Sequence, residues 1–504
     1  MRSDKPNVLM LMGDQHPVYM TGCYGHPFAR TPSMDSIAEQ GTTFDAAYCA
    51  SPLCAPSRAA MMTGRHVHSI EVWDNASPLR CDWPTFAHSF TAAGYRTILC
   101  GKMHFVGPDQ HHGFEERWTQ DIYPSTFDWT ISNRERVFVK PRGTGQGRHR
   151  VYESGVGRTP DMDYDEEVAF RAVTGLRAIA RENSNRPFFL CVSFNGPHYP
   201  FRAPREYWDL YRDQDIRVPE LPEGFQSEDH PTVQWVRDAT HLEEPVPEDI
   251  CRRAKHATLG RLTMLDDYLD RILTQLSDGG LEDDTIVLYA SDHGDMMGEH
   301  GLWFKCTHYE WSSRVPLMVK GPGIRRGRID EPVSLLDLGP TLCSLAGIDQ
   351  VYPRTDGRDL SPLVTGEGEN IDGEMIFEYY GDGTWRGWRT IRRGKLKLTY
   401  APGFEPLIFD LERDPGEWND VARDPDYQGA RERMMETILQ DWNPEECDER
   451  RYLSEERRLA ILKALGPKRP ESWIYPSPPV PHPGTGHSRR TRFTGQDEER
   501  KEQT

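Results

Sequence analysis

Ionisable residues recur in this chain wherever a short apolar run ends. Asn7 to Met12 is followed by Gly13-Asp14-Gln15, and Tyr95 to Cys100 by Gly101-Lys102-Met103-His104. Pro187 to Asn195 is followed by Gly196-Pro197-His198, and Thr285 to Ala290 by Ser291-Asp292-His293-Gly294-Asp295. Asp14, Asp292 and His293 offer two carboxylates and an imidazole, a mixed oxygen and nitrogen set suited to a divalent cation. Such a cation would polarise an anionic ester and lower the pKa of an attacking hydroxyl. Taken alone, an Asp and a His after a strand read more readily as a helix cap. The other conspicuous stretch is Cys54-Ala55-Pro56-Ser57-Arg58, continuing through Thr63-Gly64-Arg65. A thiol is a poor tool for displacement at sulfur or phosphorus, and a lone free cysteine is more often a small buried hydrophobe.

For these exits to meet, the runs before them must be neighbouring strands. Each is short and continuously apolar, as a parallel strand covered on both faces requires. Ligands of open α/β sheets bind at the carboxyl edge, where Asp14, Lys102, His198 and Asp292 would stand. Thr31-Pro32-Ser33 opens a helix that Gly41 stops, and Pro84 to Gly94 predicts another. The Cys54 stretch reads as a loop turning into a helix over Ser57 to Thr63, whose N-terminus favours an anion. Ile250 to Leu276 carries a strong helical period. The expected fold class is α/β, a large mixed and mostly parallel sheet flanked by helices.

Around Asn370 the texture changes. Glu374 to Tyr380, Trp385 to Arg392, Leu396 to Tyr400 and Pro406 to Leu411 predict short antiparallel strands, with a helix over Gly429 to Trp442 packed on them. The expected organisation is a catalytic α/β domain over 1–369, a small antiparallel-sheet subdomain over 370–445, and an extended arm over 446–504. The arm is Pro-rich from Tyr475 to Gly486, is expected to lie on this subunit or a neighbour, and to fray from about Ser488. No internal repeat is evident.

From Cys54 to Arg65 the stretch resembles, at every fixed position, the signature of the type I sulfatases, the formylglycine-dependent branch of the alkaline phosphatase superfamily. The resemblance implies an alkaline-phosphatase-like fold and conversion of Cys54 to Cα-formylglycine by a formylglycine-generating maturation enzyme. The hydrated aldehyde would offer one hydroxyl to attack and a second whose deprotonation expels the held sulfate. An oxygen of the modified Cys54 would complete the metal set of Asp14, Asp292 and His293. Calcium is usual for the family, while the imidazole also admits manganese, magnesium or zinc. By the same resemblance Arg58, Lys102, His104, His198 and Lys305 form a cationic ring, whose fixed donors meet the charge that develops as the ester bond breaks. Arg58 and Lys102 would hold the diol, and His104 would be the base for elimination. His198 and Lys305 would grip the sulfate, one of them protonating the leaving oxygen; Lys305 is placed only by its position 12 residues after His293. Gln15 and Asn75 either donate to substrate oxygens or serve as turn-forming amides.

Most sulfatases carry Asp-Asp at the first strand and Asp-Asn at the later one. Here Asp14-Gln15 and Asp292-His293 are similar to the branch holding choline sulfatases and phosphonate monoester hydrolases. Ser51 to Arg58, Ile98 to Gln110 and Gly113 to Arg117 strengthen the choline-sulfatase likeness, and Trp129 falls where an aromatic ring could face a quaternary ammonium. Beyond Asp292 the likeness weakens: Cys306 to Trp311 and Glu378-Tyr379-Tyr380 depart from it. His308 and Trp385 are accordingly candidates to line a pocket for a sugar or another organic sulfate. General likeness runs from about Asn7 to Ala422. The implied activity is hydrolysis of a sulfate ester, organic or sugar; the alternative is a phosphonate monoester or phosphodiester hydrolase using the same site. A Ser- or Thr-dependent phosphatase is disfavoured because Cys54 occupies the nucleophile position, and a non-catalytic paralogue would need a broken site.

Composition narrows the partners. The chain has 504 residues, 28% charged, with a formal net charge of −19 and mean hydropathy −0.70. That balance argues against nucleic acid, whose binding needs a basic face. No run approaches the roughly 20 apolar residues of a membrane span, and the start from Met1 to Pro6 lacks a secretory core. The ten cysteines have no paired spacing, which fits a reducing compartment, so a cytoplasmic location is expected. The expected partners are a small sulfate ester, the maturation enzyme and further copies of the chain, as a dimer or tetramer.

Overall fold

The computed structural model describes residues 5–131, 145–182, 184–225, 229–368 and 373–466. Its central feature is an eight-stranded mixed sheet. In spatial order the strands are Gly327–Ile329, Thr42–Phe44, Leu317–Lys320, Thr285–Ser291, Asn7–Asp14, Phe188–Pro197, Arg96–Gly101 and Glu116–Arg117. The Asn7 strand runs parallel to both neighbours, pairing Leu9 with Leu190 on one side and Val287 on the other. Arg96–Gly101 extends the parallel run, with Leu99 opposite Cys191. Leu317–Lys320 is antiparallel to the Thr285 strand.

The continuous apolar runs follow from burial on both faces. Side chains alternate across a strand, so Val8, Met10 and Met12 enter one hydrophobic cluster while Leu9 and Leu11 enter another. The second cluster is covered by two long helices, Pro160–Glu182 and Glu248–Asp278. The latter matches the helix expected over Ile250 to Leu276. The former has no counterpart in the sequence reading, because its buried stripe mixes Asp161 and Asp165 with small apolar residues. Gly175 in that helix has a packing reason: a Cβ there would stand 2.1 Å from the Trp118 ring.

Glu374–Tyr379, Trp388–Arg393, Leu396–Tyr400 and Leu407–Asp410 form a separate four-stranded antiparallel sheet in that order. The helix Gln428–Leu439 packs beside it. The expected extended arm requires correction in its first part, because Pro444–Leu465 is helical. Pro444 sits in the first turn, and the Asn443 side chain caps the Glu446 N–H at 3.3 Å. Its inward residues are Cys447, Arg451, Ser454, Glu455 and Arg458. They repeat at helical spacing, but almost all are polar, so an apolar-period reading passes over them. The 369/370 boundary and everything from residue 467, including the Pro-rich stretch, lie outside the described residues. No helix among the described residues is long and apolar enough to cross a membrane.

Candidate active site

Four adjacent parallel strands deliver the site. Asp14 ends its strand, Lys102 follows Gly101, Asn195 and His198 lie at and just beyond the end of the Phe188 strand, and Asp292 and His293 follow Ser291. The close approach of two of these strands needs a glycine: Gly101 has φ +108°, and a Cβ there would meet the Ser193 carbonyl at 1.9 Å. Cys54 opens a wholly buried helix, Cys54–Thr63, beginning three residues earlier than the sequence reading placed it. Asn75 Oδ1 accepts from the Ala55 N–H at 3.0 Å, and Ser57 Oγ donates to the Asp292 carbonyl at 2.7 Å. The helix N-terminus is thereby pinned against the strand ends.

One ligand atom from each of Asp14, Cys54, Asp292 and His293 comes within 4.8 Å of all the others, and all four residues are buried. Cys54 Sγ, which marks where oxygens of a modified side chain would be, lies 3.2 Å from His293 Nε2 and 4.0 Å from Asp14 Oδ1. His293 Nδ1 is 3.0 Å from the Gly294 carbonyl, which can only accept, so Nδ1 carries the proton. The Nε2 lone pair then faces the cluster, the orientation a metal-binding imidazole takes when a carbonyl fixes its tautomer. The donor set is oxygen-rich with one nitrogen and fits a divalent cation.

Cations surround the carboxylates. Asp14 Oδ2 receives Lys102 Nζ at 2.5 Å and Arg58 Nη2 at 3.0 Å, and Arg58 Nε reaches Asp292 Oδ2 at 2.7 Å. Burial pushes the Asp14 carboxyl up, yet Lys102, His198 and Arg58 together hold it well below the usual range. Asp292 moves the other way: burial raises it against Arg58, and Asp14 adds to the rise. Two buried carboxylates this close resist ionising together, a conflict a shared cation relieves.

Lys305 faces the other side of Cys54. Its Nζ lies 3.4 Å from Sγ, 3.2 Å from His198 Nε2 and 2.7 Å from Gln15 Oε1. His198 Nδ1 is bonded to the Tyr199 carbonyl at 2.8 Å, which leaves Nε2 as the acceptor from Lys305. Burial, then the neighbouring Lys305 charge, brings His198 down to about 4, so its ring is neutral at neutral pH. Gln15 also donates to Asp295 through Nε2. Gln15, His104, Phe304 and Cys306 all have positive φ, a left-handed backbone costing about 1–2 kcal/mol per residue without glycine. Such strain clusters where function over-determines the backbone.

A cavity of about 280 Å³ opens from this cluster, lined among others by Cys54, Asn75, Tyr123, Trp129, Asn195, His198, Tyr199 and Lys305. Arg58, Lys102 and Gln15 do not line it but bond residues of the cluster. His104 is 3% exposed, and neither ring nitrogen has a hydrogen-bond partner. Its ring stands against Tyr123 and Trp129, at centroid separations of 5.0 and 5.6 Å.

His308 and Trp385 are not brought to the cavity. His308 is fully buried beside Tyr309, Trp388 and Phe409, and burial holds its ring well below the usual value. The Trp385 carbonyl instead receives Arg451 and Tyr452 of the C-terminal helix, at 3.0 and 2.9 Å. The sequence reading in turn missed Asn195, whose Oδ1 receives Lys102 Nζ at 3.3 Å, and Tyr123, whose ring lies 4.1 Å from the same nitrogen. Asn195 sits at a strand exit like the others and was findable by that rule. Tyr123 lies in an irregular segment and carries no local signal.

Comparison with known proteins gives the family. The family model described as Sulfatase matches residues 6–348, and one described as N-sulphoglucosamine sulphohydrolase, C-terminal, matches 298–443. The chain is 39% identical over 480 residues to a choline-sulfatase of Rhizobium meliloti (strain 1021), covering 92% of each. It is 29% identical over 470 residues to an arylsulfatase of Clostridium perfringens (strain 13 / Type A), covering 87% of this chain and 94% of the relative. The structure superposes on the phosphonate monoester hydrolase of Agrobacterium radiobacter with TM-score 0.70 at 24% identity, covering 86% of this chain and 95% of that one, a likeness of fold. With two-thirds of its length matched by the family model and its four candidate ligands converging on one point, the chain belongs to the sulfatase family and is a sulfuric ester hydrolase.

Proposed function

We propose that this protein cleaves the ester bond of an organic or sugar sulfate, releasing the alcohol and inorganic sulfate, with Cys54 converted to Cα-formylglycine. The observation that carries the reading is the meeting of Asp14, Cys54, Asp292 and His293, of which Cys54 opens to the cavity, with Lys305 Nζ 3.4 Å from Sγ. A divalent metal, calcium foremost, would be held by Asp14, Asp292, His293 and an oxygen at position 54, and would supply Lewis-acid polarisation of a sulfate oxygen. Once formed, the hydrated aldehyde at residue 54 would supply two geminal hydroxyls, one to attack sulfur and one whose deprotonation would release sulfate.

The remaining work belongs to the chain's own side chains. Arg58 bonds both Asp14 and Asp292, and Lys102 reaches the same Asp14 oxygen. Lys305 bears the proton in its contact with His198, so it is the group that grips the sulfate and protonates the leaving oxygen, with His198 orienting it. His104, with two unpartnered ring nitrogens, takes the proton in the release step. Donors already in place require no reorganisation as charge builds on sulfate.

The cavity wall suggests the alcohol. Tyr123, Trp129 and Tyr199 line it with aromatic rings, which suits a quaternary ammonium. Choline sulfate is therefore the first ester to test, a choice the 39% likeness to a choline-sulfatase supports. Arg150 on the same wall keeps sugar sulfates with further anionic groups in the screen.

The deciding experiment combines a peptide mass spectrum covering residue 54 with kcat/KM for para-nitrophenyl sulfate, choline sulfate and a phenyl phosphonate monoester. The enzyme is made with and without a coexpressed formylglycine-generating enzyme. Aldehyde at residue 54 and preference for sulfate support the proposal. A strong phosphonate preference would move the assignment to the second reading, and an unmodified thiol in fully active enzyme would overturn the mechanism.

A further inference from the structure

The C-terminal helix Pro444–Leu465 sends one long cation into the body of the protein. Arg458 is 3% exposed and its partner Asp74 1%. Nη1 and Nη2 each donate to one Asp74 carboxylate oxygen at 2.8 Å, and Nη1 also reaches Thr130 Oγ1 at 3.1 Å. Asp74 Oδ1 further accepts from the Ala76 N–H at 2.8 Å and the Ser77 hydroxyl at 3.1 Å, closing the turn that carries Asn75. Asn75 lines the cavity and holds the Ala55 N–H, one residue past Cys54. Thr130 follows Trp129, which lines the same cavity edge-on to Tyr123 at 4.8 Å. One planar guanidinium therefore ties together two separate strips of cavity wall. Three acceptors on two segments are a task for the rigid fork of an arginine, which a lysine point charge does not reproduce.

We propose that Arg458 is a positioning residue for the alcohol side of the substrate cavity. By clamping Asp74 and Thr130 it fixes the Asn75 turn relative to Trp129, and that spacing selects which alcohols fit beside the sulfate. The inference rests on the sulfate ester reading of the site. Asp14, Asp292, His293 and Lys305 are held by other partners, so loss of the clamp falls on the alcohol rather than on the sulfate.

The test compares Arg458→Met, Arg458→Lys and Thr130→Val with the wild type in mature full-length enzyme. It measures kcat and KM for sulfate esters of increasing alcohol size, and the inhibition constant of inorganic sulfate. In Arg458→Met, which removes the bidentate ion pair and the Thr130 contact, the KM for the bulkier esters is expected to change about tenfold, and in Thr130→Val, which removes one hydrogen bond, about threefold. The inorganic sulfate constant and kcat should stay within about twofold, because the sulfate-facing groups are unmoved. Arg458→Lys should recover thermal stability without recovering the ester ranking. If ester KM and the sulfate constant rise together, or if the ranking is unchanged in every folded variant, Arg458 is only a structural staple and the proposal is overturned. Should Arg458→Met fail to fold, Thr130→Val decides, since it leaves the ion pair intact. A wild-type enzyme inactive on every sulfate ester overturns the parent reading and the inference with it; wild-type activity with an unaltered ranking overturns the inference alone.

Discussion

Two regions of this protein bury charge equally deeply and use it differently. At the strand edge, Asp14, Arg58, Lys102, Asp292 and Lys305 are each at most 1% exposed. At the junction with the small sheet, Glu378 and Arg389 are fully buried as well. Glu378 receives the His68 N–H, the His68 ring and two Arg389 nitrogens, while Arg389 also reaches Asp441 and the Ile438 carbonyl. Every charge there points at another side chain or a carbonyl, and neither residue lines the cavity at Cys54. At the strand edge the cations and carboxylates also converge, but on a thiol that opens to a cavity. Deep charge burial alone does not distinguish a catalytic centre. Convergence on a shared space that a ligand can enter does.

That contrast can be broken most severely at Cys54. Cys54→Ala is expected to lower kcat by about 10⁴ or more, as loss of a nucleophile does, with the thermal melting curve unchanged. Substantial turnover in this variant would erase the distinction between the two clusters. Stripping divalent metal with a chelator should cost about a thousandfold in kcat, equivalent to the several kcal/mol such ions supply. Adding back calcium, manganese, magnesium and zinc one at a time would then rank the ions that the Asp14, Asp292 and His293 set accepts.

The junction should answer in stability instead. Glu378→Gln is expected to cost about 3 kcal/mol in chemical denaturation, because it leaves Arg389 incompletely compensated, with kcat for a small sulfate ester nearly unchanged. Its pH dependence has a definite sign. Burial pushes the Glu378 carboxyl up, but Arg389 and His68 outweigh that and hold it well below its ordinary value. A depressed carboxylate stabilises the fold above the unfolded pKa of about 4.3 and loses that contribution as pH falls below it. The wild type should therefore lose stability below that pH more steeply than Glu378→Gln, and equal slopes would mean that the ion pair is energetically idle. The smallest effect is expected at His308→Phe. With both ring nitrogens unpartnered among aromatic neighbours, an apolar ring of similar shape should leave KM within about twofold and stability unchanged or higher.

The parts of the site legible beforehand were those written contiguously or at a repeated structural address. Cys54 to Arg65 is one uninterrupted stretch, and Asp14, Lys102, His198 and Asp292 each follow a recognisable apolar strand. His308 misled because it lies three residues after Lys305 yet turns into the aromatic packing between the large domain and the small sheet. Pro160–Glu182 and Pro444–Leu465 were passed over for a related reason. Their inward faces carry Asp161, Asp165, Arg451 and Arg458, and a polar residue declares its burial only once its partner is known.

By itself the sequence determined the strand exits, the helix at Cys54 and the chemical types available at each, because local patterning and short-range order set those. Only the tertiary structure decided which exits adjoin, which histidine faces the cavity, and that Arg458 bonds both Asp74 and Thr130. Those facts depend on pairings between residues tens to hundreds of positions apart, where burial makes geometry and charge compensation decisive and no local pattern records the partner.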